Sequence, residues 1–419
     1  MSTPADTAER AQPRRKPEAR LIGLLGPAFV AAIAYVDPGN VAANLSAGAE
    51  YGYLLVWVLV VANVMAVVVQ YLSAKLGLVT GQSLPEVLGG RLSKPTRLLY
   101  WGQAEVTAAA TDLAEVIGGA IALHILFDLP LPVGGVIVGV ISMIMLSVQS
   151  RRGQRTFEFL VIAMLAIIAV GFVAGLFFTT TDWGEVAGGL VPRFEGSSTV
   201  LLAASMIGAT VMPHAVYLHS GLARDRHGVS KDPDRIRRLL RATRLDVVLA
   251  LIVAGGVNIA MLLLAASALP GVPGTNTIEG AADAISTHLG AGVGLVFGIG
   301  LLASGLASAS VGAYAGSAIM AGLIHRRIPV LWRRAVTLIP ALIILAIGVD
   351  PTWALVLSQV VLSLGIPFAL IPLAWYTGRA DIMGSFVNSL RLRIAAASVA
   401  IAIVTLNVAL LYLMITGQD

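Results

Sequence analysis

The first long apolar run of the chain contains Ala34-Tyr-Val-Asp37-Pro38-Gly39-Asn40, an acid and an amide beside a proline and a glycine. A carboxylate at membrane depth costs about 3 kcal/mol and is kept where it has work to do on a cation or a proton. Pro38 brings no N–H, its ring clashes with the carbonyl four residues back at Ala34, and Gly39 lets the chain unwind. The sixth run repeats the pattern in Ala209-Thr-Val-Met212-Pro213-His214, where Pro213 frees the carbonyl of Ala209. A constant offset of 175 relates the two breaks. The Asp37 carboxylate, the Asn40 amide oxygen and the carbonyls of Ala34 and Ala209 add the Met212 thioether to a shell of oxygens around one negative charge. That set suits a cation and disfavours an anion. Calcium and magnesium prefer oxygen alone, so the thioether points to a softer divalent ion such as manganese or iron(II).

A second group lies on the third run. Glu105, Asp112 and Glu115 fall within about 80° of one another at about 100° per residue, so they share a helix face. Three acids on a membrane-buried stripe suit a proton relay, and structural ion pairing is the alternative. His214 follows Pro213 directly. His219 lies about 140° farther around the helix, so the two imidazoles do not readily hold one ion. Both are read as gate or proton-path residues, against the alternative of satisfied interior histidines. Asn258 and Gln359 are isolated amides in later runs, a type that commonly bonds across helices as packing. There is no His-Glu-x-x-His, no zinc-type Cys/His spacing and no phosphate-binding loop, so no enzyme and no ATP-driven pump is expected on this chain.

These residues must be positioned by membrane helices. Of 419 residues, 57% are apolar and only 12% charged, with a mean hydropathy of +0.86; a soluble domain carries about 25% charged residues. About eleven apolar runs stand out, roughly 21–50, 53–80, 97–127, 131–149, 156–179, 197–223, 243–269, 284–323, 331–349, 352–376 and 392–416, each long enough to cross a bilayer as helix. The 284–323 run is too long for one span and must contain a non-spanning portion. None alternates with period two, which excludes a lipid-facing barrel. Interrupted segments at matching positions of two halves mark a transporter's substrate site, with spans one to five and six to ten as inverted repeats, about 20–180 and 197–376, and an extra helix about 392–416. Residues 1–19, with scattered charge and Pro4, Pro13 and Pro17, are expected to form a disordered tail ahead of the transporter domain at 20–419. The glycines, 44 in all and dense in 290–322, fit close helix packing in lipid.

A formal charge of +5 and a pI near 9.6 raise the question of nucleic acid. The 28 Lys and Arg residues answer it, because all but Arg193 fall in the N-terminal tail or in alternate connections, with the densest set at 224–244. The positive-inside rule then places the N-terminus in the cytoplasm and the C-terminus outside. Lipid is the expected surrounding, nucleic acid is not a partner, and no obligatory protein partner is evident.

Asp-Pro-Gly-Asn at 37–40 and Met-Pro-His at 212–214, in segments of this order and spacing, resemble the hallmarks of the natural resistance-associated macrophage protein (Nramp) family of proton-coupled divalent-metal transporters. Ala-Thr-Asp-Leu-Ala-Glu at 110–115, Tyr-Leu-His-Ser at 217–220, Leu-Leu-Ala-Ser-Gly-Leu at 301–306 and Leu-Ser-Gln at 357–359 look like bacterial members. The likeness runs from about residue 21 through nearly the whole chain. It implies an all-α, LeuT-like fold of inverted five-helix repeats, alternating access, and inward transport of Mn2+, with Fe2+, Co2+ or Cd2+ as further cargo, driven by H+ across a bacterial inner membrane. The metal is then substrate, and no cofactor is implied. The family's ligands correspond to Asp37, Asn40, Met212 and the carbonyls of Ala34 and Ala209, with Gln359 joining in some states. A proton route is implied from Asp37 past His214 toward Asp112, Glu115 and arginine partners, for which Arg333 and Arg334 are the candidates. The alternative is a LeuT-like, Na+- or H+-coupled carrier of an organic cation or amino acid.

Overall fold

The computed structural model describes residues 25–416 apart from 153, 276, 327 and 328; the expected tail at 1–19 lies outside the described residues. Every span is helical. In chain order the helices are α1 (Pro27–Ala32), α2 (Pro38–Tyr51), α3 (Val56–Thr80), α4 (Leu84–Arg91), α5 (Lys94–Phe127), α6 (Leu131–Arg152), α7 (Gln154–Val173), α8 (Trp183–Gly188) and α9 (Gly196–Thr210). They continue with α10 (Pro213–His227), α11 (Pro233–Ala268), α12 (Ile278–Leu289), α13 (Ala291–Ile324), α14 (Val330–Ile347), α15 (Pro351–Thr377), α16 (Ala380–Met383) and α17 (Leu390–Thr416). Among the described residues, eight stretches are long and apolar enough to cross a membrane outright. The broken first helix, α6 and α14 bring the described spans to the expected eleven.

The sequence starts these helices with a recurrent device. Asp232 precedes Pro233 and Asp350 precedes Pro351, and in each case the carboxylate accepts a backbone N–H of the first turn. Asp37 before Pro38 is the same signal, set in the middle of a span: α1 tightens into a 3-10 turn at Ile33–Val36, Asp37 is extended, and α2 begins anew. Proline at the first helical position loses no bond, and the capping oxygen satisfies an orphan donor. The long 284–323 run divides as expected. A turn at Gly290, with φ at 103°, separates the short α12 from the spanning α13.

Around the two broken helices, α1/α2 and α9/α10, pack α3, α5, α11, α13 and α15, with α5 lying along α13 and α11 along α2 and α3. α14 rests on α6 and α5, and α17 lies outside against α15 and α9. α11 has 36 residues, roughly 54 Å at 1.5 Å per residue, so its arginine-rich first turns project beyond a bilayer core of about 30 Å. The beginning of α1 is fastened there as well, since the Asp246 carboxylate of α11 accepts the backbone N–H groups of Gly26 and Ala28 at 3.0 and 2.9 Å.

Some residues counted as connection charges belong inside helices, Lys75 in α3 among them. Arg333 and Arg334 sit inside α14, buried, and face the acids of α5.

Candidate functional site

Asp37 caps α2 and collects donors from three directions. Its Oδ1 accepts the backbone N–H of Asn40 at 2.8 Å and the Asn40 side-chain amide at 2.7 Å, while Oδ2 accepts Nε2 of Gln359 on α15 at 3.1 Å. The Asn40 amide also donates to the carbonyl of Ala209 at 3.0 Å. That carbonyl is the one Pro213 deprives of its helical donor. One network therefore ties the first break to the second and to α15. Ala34 lies in the 3-10 turn of the first break, Met212 caps α10 at the second, and both are fully buried with Asp37, Asn40, Ala209 and Gln359.

The side-chain amide atoms left over at this junction are oxygens. Asn40 Oδ1 and Gln359 Oε1 are buried without a hydrogen-bond partner, and both are acceptors. No ion pair involves Asp37 among the described residues, nor do three His, Cys, Asp or Glu side chains converge anywhere among them. A cation held at the breaks would bind one carboxylate, amide and carbonyl oxygens and a thioether. Close approach is required here too. A Cβ on Gly39 would run into the Gln359 amide, so the glycine makes room for α15 to reach Asp37.

The first break is held by one amide the sequence singled out, Asn258, and by Asn44 and Ser304, which it did not. The Tyr35 carbonyl accepts the Asn258 amide at 2.7 Å, Asn258 in turn accepts from Asn44 at 3.0 Å, and the Val36 carbonyl accepts the hydroxyl of Ser304. Asn258 is thus a support of the unwound backbone, consistent with its reading as packing. Ser304 carried no signal, because serine is ordinary in packed membrane helices.

The acids of α5 find arginines. Glu105 pairs with Arg333 at 2.8 Å and Asp112 with Arg334 at 2.7 Å; Glu115 stands 3.7 Å from the same Arg334, whose Nε donates to Ser142. Arg334, Asp112 and Glu115 are at most 1% exposed. The two histidines part company. His214 Nδ1 meets the hydroxyl of Thr111, the neighbour of Asp112, at 3.2 Å, which carries the second break to the acidic stripe. His219 Nδ1 instead meets Gln70 of α3 at 2.7 Å, and Gln70 bonds the Tyr35 hydroxyl below the first break. His219 is therefore not joined to the acids. Gln70 was legible in principle as an isolated amide in an apolar run; Thr111 was not. Elsewhere, His124, Asp128, Glu279 and Asp283 line a cavity of about 490 Å³ between α5, α12 and α13, which shares no residue with either break.

Comparison with known proteins adds five findings. The profile of a family described as natural resistance-associated macrophage protein-like matches residues 28–413. The chain is 61% identical over 394 residues to the divalent metal cation transporter MntH of Mycobacterium tuberculosis, covering 94% of this chain and 92% of that one. It is 45% identical to MntH of Bacillus subtilis, covering 93% and 92%. Among solved structures, the Eremococcus coleocola manganese transporter bound to an aromatic bis-isothiourea compound superposes with a TM-score of 0.84 at 29% identity, covering 94% of this chain and 88% of that chain. MhsT in complex with L-phenylalanine, at a TM-score of 0.57 and 17% identity over 96% and 99% of the chains, shares the fold alone, that of the LeuT-like transporters.

Breaking a buried pair strands a charge, and Arg334 neutralises two acids at once. Arg334→Ala is expected to cost roughly 3–5 kcal/mol, read as a lower thermal midpoint in detergent. Adding Asp112→Asn and Glu115→Gln should recover most of it; no recovery would refute the assignment of Arg334 as their counter-charge.

Proposed function

The chain belongs to the natural resistance-associated macrophage protein family, and from that premise we propose that it is a secondary transporter importing Mn2+, with Fe2+, Co2+ and Cd2+ as further cargo, coupled to H+. The observation that carries the proposal is the junction of Asp37, Asn40, the Ala209 carbonyl and Gln359. It supplies one full negative charge and spare acceptors among fully buried residues. Asp37, Asn40, Met212, Gln359 and the carbonyls of Ala34 and Ala209 are the ligands. A divalent ion replaces the donors now facing Asp37, which requires the two amides to turn their oxygens inward. Alternative cargo such as an organic cation or amino acid is supported by likeness of fold alone.

The path of the proton follows from the same contacts. Asp37 carries the only formal charge among the ligands, so a proton competes with the metal there and leaves when it binds. His214 and Thr111 lie between the breaks and Asp112, and the Asp112–Glu115–Arg334 cluster has unpaired carboxylate oxygens that accept a proton. Glu105 and Arg333 form the outer member of this stripe. His219 acts with Gln70 and Tyr35 as a gate on the other side of the site. Release needs α1 to part from Asp246. The two inverted repeats run about 20–180 and 197–376, with α17 outside them.

The protein is a multi-pass membrane protein. Its sorted charge supports an inner-membrane orientation with the N-terminus cytoplasmic and the C-terminus outside. Since the chain has no cysteine, Arg193→Cys should react with an impermeant maleimide on intact cells and Arg235→Cys only after permeabilisation; the reverse pattern overturns the orientation.

Proteoliposomes with an inward proton gradient should take up Mn2+ and acidify inside, and Asp37→Ala should abolish both uptake and calorimetric Mn2+ binding. Micromolar binding retained by that variant would remove Asp37 from the site. Met212→Ala should keep part of the Mn2+ uptake while its preference for Mn2+ over Ca2+ narrows by about tenfold, or roughly 1.4 kcal/mol. Unchanged competition by Ca2+ would sink the role given to the thioether.

A further inference from the structure

α15 carries two prolines in its interior, Pro367 and Pro372. Each withholds an N–H from the carbonyl four residues back, so Ser363 and Phe368 lose their helical donors. In a spanning helix such a carbonyl must be satisfied from within the protein. Both are met by side chains of other helices. The Asn407 amide of α17 donates to the Ser363 carbonyl at 2.8 Å, and the Ser363 hydroxyl returns a bond to Asn407 Oδ1 at 2.7 Å. The Tyr217 hydroxyl of α10 donates to the Phe368 carbonyl at 3.3 Å. Asn407 and Tyr217 are buried, so neither bond is an accident of the surface.

These two points lie one turn and more beyond Gln359. The half of α15 that bears Gln359 is seated closely on α9, where a Cβ at Gly208 would strike the Gln359 carbonyl. The other half is tied through Tyr217 to α10, on the far side of the second break. A helix with two missing bonds between such seats bends where the bonds are missing. We propose that Asn407 and Tyr217 are positioning residues for Gln359: they hold the carbonyls released by Pro367 and Pro372, so that α15 flexes at 363–372 and carries the Gln359 amide onto and off the cation. α17, which stands outside the repeats, thereby acts on the site it does not touch. The kinetic part rests on the transport reading above; the bend itself does not.

The absence of native cysteine allows a direct test. Trp353→Cys and Trp375→Cys, at exposed positions near the two ends of α15, take spin labels uniquely, and their separation reports the bend. Asn407→Leu and Tyr217→Phe should each broaden the distance distribution and lower Mn2+ turnover about fivefold while KM moves less than about twofold, since the groups contacting the ion remain. The deciding comparison restores the missing donor. Pro367→Ala should cancel the effect of Asn407→Leu on the distances and on turnover, and Pro372→Ala that of Tyr217→Phe, whereas the crossed pairs should stay additive. Losses that are the same with and without the matching proline would make both residues ordinary packing and overturn the proposal, as would unchanged distances. If Asn407→Leu does not fold, the Tyr217→Phe and Pro372→Ala cycle decides alone, because it deletes a single oxygen. Failure of the unmodified protein to take up Mn2+ would strike the transport reading, and the distances would still decide the hinge.

Discussion

A backbone carbonyl freed at membrane depth has no water to turn to, and it must be given a donor by another part of the chain. This constraint organises the centre of the molecule. The carbonyls of Tyr35 and Val36 at the first break take donors from Asn258 and Ser304, and that of Ala209 at the second takes Asn40. Each bond crosses between helices, so satisfying the backbone is what locks the two breaks to one another and to α11 and α13. Once donors are matched to carbonyls there, the amide oxygens of Asn40 and Gln359 are left without a partner.

Charge is handled by a different rule. A buried carboxylate is costly unless it is bonded or paired, and the protein uses both remedies in adjacent regions. Asp37 is given amide and backbone donors and no arginine, which leaves its charge available. Asp112 and Glu115 are given Arg334, and Glu105 is given Arg333, which fixes them against α14. Thr111 and His214 form the contact between the two regimes. The separation keeps an arginine-free carboxylate and an arginine-paired acid cluster close together on different helices.

Much of this was legible in the residues. Asp37-Pro38 and Met212-Pro213 announce the breaks because proline has a definite effect on a helix, and the length of the 284–323 run requires the turn that Gly290 supplies. Hydropathy likewise counted the spans. What stayed hidden depends on which helix faces which. Arg333 and Arg334 are neighbours in sequence yet serve different acids, and only the rotation of α14 against α5 decides that. Gln70, Thr111 and Ser304 look like the polar residues that any packed bundle contains. Asp246 drew no attention in the sequence, because its hold on α1 depends on a contact more than two hundred residues away.

That hold gives α1 the mechanics of a short lever. Pro27–Val36 is one unbroken arm pinned at its outer end by a single carboxylate and at its inner end by the bonds around Tyr35 and Val36. An arm of ten residues is about 15 Å long, so a rotation of about 30° about the inner pin sweeps the outer end through about 8 Å. Ala34 and Asp37 sit beside the fulcrum and scarcely move during such a stroke. A passage can therefore widen on one face while the backbone at the first break keeps its place.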